Sequence, residues 1–381
     1  MKLFSCFLVI AGLACSQAVL VNANLNASHI GECPQLPKRL DEPKHIGDLR
    51  VDDIRVFMAL GDRQVLLFSA RRSSAADMPC PQHHGRIFRQ GQDPGAVTLP
   101  NAFLHYRKDQ IGASVGKRLA NICYGPLCPV TIHSPSIDRL NAAQSGAMAQ
   151  NLRREFEYLV DQLRANKNIN YEKDWKFLNL QIGSNDLCLA CTALGSGDGM
   201  LSPDDYEMHI RTVLQLVRIN IPRVYVNLMG NFKVSEVYQV YWSDECLPCC
   251  SRVLHRIPGV NLECACAMQG GSVGETLRAR MDQRMREYNE RLRRIYSDYR
   301  SVADPQFAIG LQVFDTNLLS FPDGALSNFD CFHPSEMTHG YIAKTIWNGL
   351  TLSQAERPTS ISYDSKLRVR CPTANDRLRI D

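Results

Sequence analysis

The 381-residue sequence is as informative in what it lacks as in what it holds. It has no internal repeat and no low-complexity tract, so solenoids and disordered arrays are excluded. It has no large charge imbalance: 43 Lys and Arg against 39 Asp and Glu leave a formal +4, which by itself implies no nucleic-acid partner. After the first residues, no segment reaches the ~18 uninterrupted apolar residues that a spanning helix needs, and the last stretch, KLRVRCPTANDRLRID, is polar. No transmembrane segment is therefore expected, and a soluble mature chain is. At 45% hydrophobic and 22% charged residues, the composition is that of an ordinary globular protein able to bury a substantial core.

The start of the chain is different. MKLFSCFLVIAGLACSQA places Lys2 before an apolar stretch from Leu3 to Leu13, followed by small residues. That is the layout of a secretory signal peptide, and it outweighs the alternative of a buried N-terminal helix. Residues 1–23 are assigned to it, with cleavage between Ala14 and Ala23, and a secreted, extracellular protein is expected. Cysteine is plentiful, with 15 in all, of which Cys6 and Cys15 fall in the leader. The close spacings Cys188/Cys191, Cys246/Cys249/Cys250 and Cys264/Cys266 would suggest zinc in a cytosolic protein. Behind a signal peptide, and with no accompanying His spacing, disulfides are the better reading. The odd number remaining leaves one thiol free or paired with another chain. Asn26-Ala27-Ser28 is the single N-glycosylation acceptor pattern.

Residues 24–45 read as an irregular lead-in, 46–352 as one α/β domain, and 353–381 as a C-terminal tail. An apolar run from Val56 to Leu60 ends at Gly61-Asp62, as a strand does when it enters a loop. A Gly-, Pro- and His-rich stretch runs on to about residue 136. Leu152, Phe156, Leu159, Val160 and Leu163 then mark an amphipathic helix over 147–166. KFLNLQIG (176–183) reads as a strand. Ser202-Pro203-Asp204-Asp205 reads as an N-cap with Pro and acids in the first turn of a helix. RVYVNLMG (223–230) is a further strand and the Cys-rich 244–270 an insertion. Ser272 with Glu275 predicts a capping box for a long helix, FAIGLQVF (307–314) another strand, and 336–350 a last helix. Strands alternating with helices give a parallel sheet covered on both faces, with ligands at the strands' carboxyl ends. The loops at 61–70, 183–190 and 328–334 are thus expected to converge. Eight arginines between Arg278 and Arg300 form a solvated basic face, with peripheral contact to anionic lipid head groups as the alternative.

Three segments offer chemistry. Gly183-Ser184-Asn185-Asp186 directly follows a strand, and the Asn185 amide there can aim N–H groups at a developing oxyanion, although such a tetrapeptide is more often only a turn. DCFHPS puts Asp330 and His333 three residues apart, so that the carboxylate can orient the imidazole and stabilise its protonated form. A lone Asp–His pair is more often structural than catalytic. Gly91 can present an unhindered backbone N–H to an anion, or be simply a loop glycine.

The order of these segments, with DDIRVFMALGD, AVTLPNAFLHY, LNAAQSGAMAQNL, INYEKDWKFLNLQIGSNDLC, ECACAM and DCFHPSEMTHGYIAKTIWNGL, resembles the GDSL (SGNH) hydrolases, and within them the animal phospholipase B branch. The resemblance covers about residues 46–350. It implies a three-layer αβα sandwich with a central parallel sheet, and an esterase of phospholipids, lysophospholipids or other acyl esters that uses no cofactor and no metal. On that resemblance Asp330 and His333 match the acid and base, and Asn185 and Gly91 the oxyanion donors. One departure is chemical. The family turn is Gly-Asp-Ser, an aliphatic residue, then Thr-Ala-Gly; here Arg63 stands at the nucleophile position, Val65 at the Thr and Leu67 at the Gly, and Gln92 replaces a second glycine after Gly91. Arginine has no hydroxyl and stays protonated. Ser69, Ser73 and Ser74 lie too far along the chain to substitute. An impaired or inactive scaffold is expected, and a pseudoenzyme binding a lipid or anionic ligand is its alternative form.

Overall fold

The computed structural model describes residues 26–62, 88–89, 91–92, 94–118, 128, 133–192, 201–243, 264, 266–327 and 332–381. Arg63, Val65, Leu67, Asp330, Cys331, the leader and most of the Cys-rich insertion lie outside the described residues.

In chain order the elements that matter for the site are β1 (Asn26–Ala27), β2 (Ile54–Gly61), α1 (Leu99–Tyr106), α2 (Leu152–Ala165), β3 (Trp175–Gln181), α3 (Ser184–Leu189), α4 (Pro203–Asn220), β4 (Val224–Met229), α5 (Gly271–Arg300), β5 (Phe307–Gln312), α6 (Glu336–Gly349) and β6 (Val369–Arg370). β2, β3, β4 and β5 pair in that order, all parallel. This is the α/β sandwich expected from the sequence. Adding parallel strands successively in one direction with right-handed crossovers puts α2, α4 and α5 on one face. There they bury Leu159, Leu214, Val226, Leu228 and Leu292 in one apolar cluster with the strands. Each fully buried Leu or Val is worth roughly 1.5–3 kcal/mol, so this face supplies much of the stability.

The other face is covered by α1, α6 and both chain ends. Phe57, Phe177 and Tyr225, neighbours in register, stack across it at ring separations of 5.4 and 5.6 Å. Two residues further toward the carboxyl ends the same face turns polar. Asn227 Nδ2 donates to Asn179 Oδ1 at 2.6 Å, and Gln312 Nε2 donates to Asn227 Oδ1 at 2.9 Å. The chain ends are stapled: β1 pairs with β6, and Cys33 is bonded to Cys371.

Beyond β2 the chain runs parallel to it through the isolated bridges Val56↔Ile111, Ala59↔Asn141 and Asp62↔Gln144, then returns through α2 to β3 on β2's other side. The direction of strand addition therefore reverses at β2. In open α/β sheets that reversal opens a crevice at the carboxyl ends, here between Asp62 and Ser184.

Most expected elements form within a residue or two, and the Ser202 cap is made, with Ser202 Oγ accepting from Asp205 N at 3.1 Å. The Ser272–Glu275 capping box is not. Gly270 and Gly271 let the helix begin earlier, so Ser272 lies inside the first turn and its carbonyl accepts from Thr276 Oγ1 at 3.0 Å. The close-spaced cysteines pair as Cys188–Cys264 and Cys191–Cys266, which places them in disulfides and not on zinc. Several α5 arginines are ion-paired: Arg291 with Asp204 and Glu207, Arg294 with Glu207, and Arg284 with Glu287. Among the described residues no helix is long and apolar enough to cross a membrane.

Candidate active site

Two glycines aim the backbone at the crevice. Gly61 ends β2 at φ 110°, and a Cβ there would lie 1.9 Å from the Gln181 carbonyl oxygen, so no other residue fits. Gly183, at φ 124°, turns β3 into α3, and a Cβ there would lie 2.4 Å from Asn231 Oδ1. Asn231 Nδ2 in turn donates to the Tyr206 hydroxyl, which donates to the Ile182 carbonyl, each at 3.0 Å. The turn that presents Asn185 is thereby braced from behind.

Asp62 follows Gly61 and is almost completely buried. Asn185 Nδ2 donates to Asp62 Oδ2 at 3.0 Å and to the Ala147 carbonyl at 3.0 Å. A side-chain amide carries two N–H groups, so both are engaged within the protein. Presenting one to an oxyanion requires giving up a partner. Two further carboxyls sit beneath. Glu155, on α2 and with no exposed surface, accepts the Gly61 N–H at 2.6 Å. Burial pushes its carboxyl well above the usual carboxylate range; the Gly61 N–H opposes this and the nearby Asp62 charge adds to it. Asp186 accepts the Ala149 N–H on both oxygens at 3.2 Å, and burial raises it to about 7.

His333 comes from the loop before α6. That loop is closed by Ser327 N donating to the His333 carbonyl at 2.7 Å and Ser335 N donating to the Ala325 carbonyl at 2.9 Å. Ser335 then caps α6 by accepting from Thr338 N. The His333 ring is half-buried and stands edge-on to Phe332, with ring centres 5.1 Å apart.

Asp62, Asn185 and His333 line one cleft, so the described parts of the three expected loops do converge. Its inner walls are apolar, with Met229, Phe232, Val237, Phe314, Leu318 and Phe332. A cleft with a few convergent polar groups at one end and apolar walls beyond suits a ligand with a polar group on a hydrocarbon arm. Cys188 also lines it, so the disulfides to Cys264 and Cys266 tie the Asn185 helix to the segment before α5.

The other expected residues fall elsewhere. Gly91, at φ 45°, is buried in the turn before α1, where its carbonyl accepts from Thr98 Oγ1 at 2.6 Å, and it lies outside the cleft lining. Arg63 and Asp330 lie outside the described residues. Sequence reasoning passed over Asp62 as part of a turn, Glu155 as a polar helix position, and His339, a buried second imidazole that lines the cleft from α6. The sequence signal for Asp62 and His339 was their neighbours in the Gly-Asp and Asp-X-X-His blocks; Glu155 had none. Among the described residues no group of three or more His, Cys, Asp or Glu is disposed to hold a metal.

Residues 89–346 match the GDSL-like Lipase/Acylhydrolase family, a span that begins after the Gly61-Asp62-Arg63 turn. The chain is 25% identical over 347 residues to Phospholipase B1, membrane-associated, of Homo sapiens, covering 88% of this chain and 22% of that protein. It is 25% identical over 351 residues to the Mus musculus protein, covering 89% and 22%, and 26% identical over 344 residues to that of Rattus norvegicus, covering 87% and 21%. The chain thus spans about a fifth of the length of these relatives.

Proposed function

The chain belongs to the GDSL-like lipase/acylhydrolase family, and from that premise we propose that it is a secreted, phospholipase B-like scaffold that holds an acyl lipid in the cleft with impaired or no hydrolysis. The observation that carries this reading is a mismatch within one site. Asn185 and His333 share an apolar-walled cleft with Asp62, while the residue that follows Asp62 is Arg63.

In the family reaction a serine hydroxyl gives its proton to the histidine as it attacks the ester carbonyl. His333, in the same cleft as Asp62, is the candidate for that proton, and an arginine at position 63 has no hydroxyl to give it. Loss of the nucleophile of such a site lowers turnover on the order of a million-fold, while binding and oxyanion contacts retain about a thousand-fold over water. The engaged amide of Asn185 fits a site no longer poised for an oxyanion. The apolar cleft walls come from residues other than 63, which supports retained binding of an acyl arm. Arg63, next to Asp62 in the chain, brings a guanidinium, a group that suits a phosphate or carboxylate. Secretion is supported by the leader-like residues 1–23 and the disulfides.

The test is binding against turnover with a lysophospholipid carried by this protein as it stands. The reading expects saturable binding with no ester hydrolysis above background. Hydrolysis abolished by His333→Ala would overturn it and make the chain an active esterase; absence of binding would overturn the scaffold.

A further inference from the structure

A second cavity, of about 480 Å³, lies on the other side of α6 from the cleft. Thr338, His339 and Ile342 of α6 face the cleft, whereas Ala343, Lys344 and Trp347 face this cavity. Its remaining walls come from α1, from the 94–98 turn, and from the segment after β1. The volume is in the range of roughly 300–1,000 Å³ typical of small-molecule sites.

Its lining divides into two kinds of surface. Ile30, Val97, Leu104, Trp347 and Val369 make an apolar trough. Val97 remains 47% exposed in it, an uncovered apolar side chain although its own turn packs on Gly340. Lys108, Lys344, His29 and His105 line the same cavity; among the described residues no carboxylate lines it, although His29 Nε2 lies 3.0 Å from Glu32 Oε1 beside it. Lys108 is exposed and makes no ion pair among the described residues. Lys344 is held at the rim by donating to the Ser28 carbonyl at 3.0 Å, and Arg368 reaches Ser28 Oγ beside it at 3.5 Å. Two lysines at the edge of a trough, neither in an ion pair among the described residues, favour an anion, and the apolar walls favour a hydrocarbon.

We propose that this cavity binds an amphiphilic anion, with its acidic head between Lys108 and Lys344 and its hydrocarbon arm along Val97 and Trp347. The head chemistry is shared by a free fatty-acid carboxylate and by the phosphate of a lipid headgroup. The site shares no lining residue with the cleft.

The experiment is a titration of the intact chain with 12-bromododecanoate, whose bromine quenches an indole that it touches, followed in parallel by calorimetry. Saturable quenching is expected, and it should be lost in Trp347→Phe while calorimetry still detects binding to that variant. Lys344→Glu and Lys108→Glu should each weaken binding about tenfold or more, and neutral dodecanol should bind at least tenfold more weakly than dodecanoate. Dodecyl phosphate in place of dodecanoate tells the two sources apart: tighter binding of one names the preferred head. Lys108 is exposed and makes no ion pair among the described residues, so its reversal reads the ligand and not the fold. Quenching that persists in Trp347→Phe, or affinity unchanged by both lysine reversals, overturns the site. The first of these outcomes would put the ligand beside another tryptophan, outside this cavity, and leave the proposed function standing.

Discussion

The two ends of the cleft differ in what they need to remain intact. The inner end, with Met229, Phe314 and Phe332, is part of the packed interior and works through shape and burial alone. The polar end depends on a few atoms being the right ones: the Asp62–Asn185 hydrogen bond, the His333 ring, and a hydroxyl that the chain does not supply at residue 63. Binding tolerates the loss of one polar group far better than a proton-transfer reaction does. On the proposed function, one substitution therefore removes catalysis and spares binding of the acyl arm.

The largest expected effect comes from reversing that substitution. Arg63→Ser should raise nitrophenyl ester turnover by about a thousandfold over the parent, less than the million-fold at stake because Val65 and Leu67 remain foreign. Adding His333→Ala should erase the gain. Next in size, Asn185→Ala in the Arg63→Ser background should lower kcat about a hundredfold, the usual cost of an oxyanion donor. If Asn185 only braces Asp62, kcat will hold and thermal stability alone will fall. Removing both the Cys188–Cys264 and Cys191–Cys266 bonds by alanines should cost about 2–4 kcal/mol in denaturant unfolding, since together they close one loop, with sequence separations of 76 and 75. It should also lower the Arg63→Ser rate, because Asn185 stands three residues from Cys188.

The smallest effect is a pH dependence. Folded Asp186 holds its proton up to about 7, against 3.8 as the ordinary value. Between those pH values the folded state binds the extra proton, so this group's contribution is fully present below pH 4 and lost as pH rises through 7. Asp186→Asn should therefore raise the unfolding temperature at pH 8 relative to the parent, with the gain gone by pH 4. A gain equal at both pH values would mean that Asp186 is not protonated in the fold.

What could be read in the sequence was what is local. The Ser202 cap, the 3.6-residue periodicity of α2 and the β-branched run of β4 are set by neighbours a few residues apart, and each formed as expected. Ser272 misled because two glycines ahead of it allowed an earlier helix start than the capping pattern implied. The cysteines announced disulfides, yet which sulfur meets which depends on folding α3 against the segment before α5. Asn185 was visible as a candidate, but its partners Asp62 and Ala147 lie 123 and 38 residues away, so the engagement of its amide was not. Glu155 looked like any polar helix residue, and only packing puts it under Gly61.

The central claim is that a reactive hydroxyl is absent from an otherwise assembled site. Labelling with a fluorophosphonate probe tests it directly, because the probe bonds only to an activated hydroxyl. The parent chain should remain unlabelled, and Arg63→Ser should be labelled at residue 63. Labelling of the parent at any serine, prevented by His333→Ala, would contradict the account.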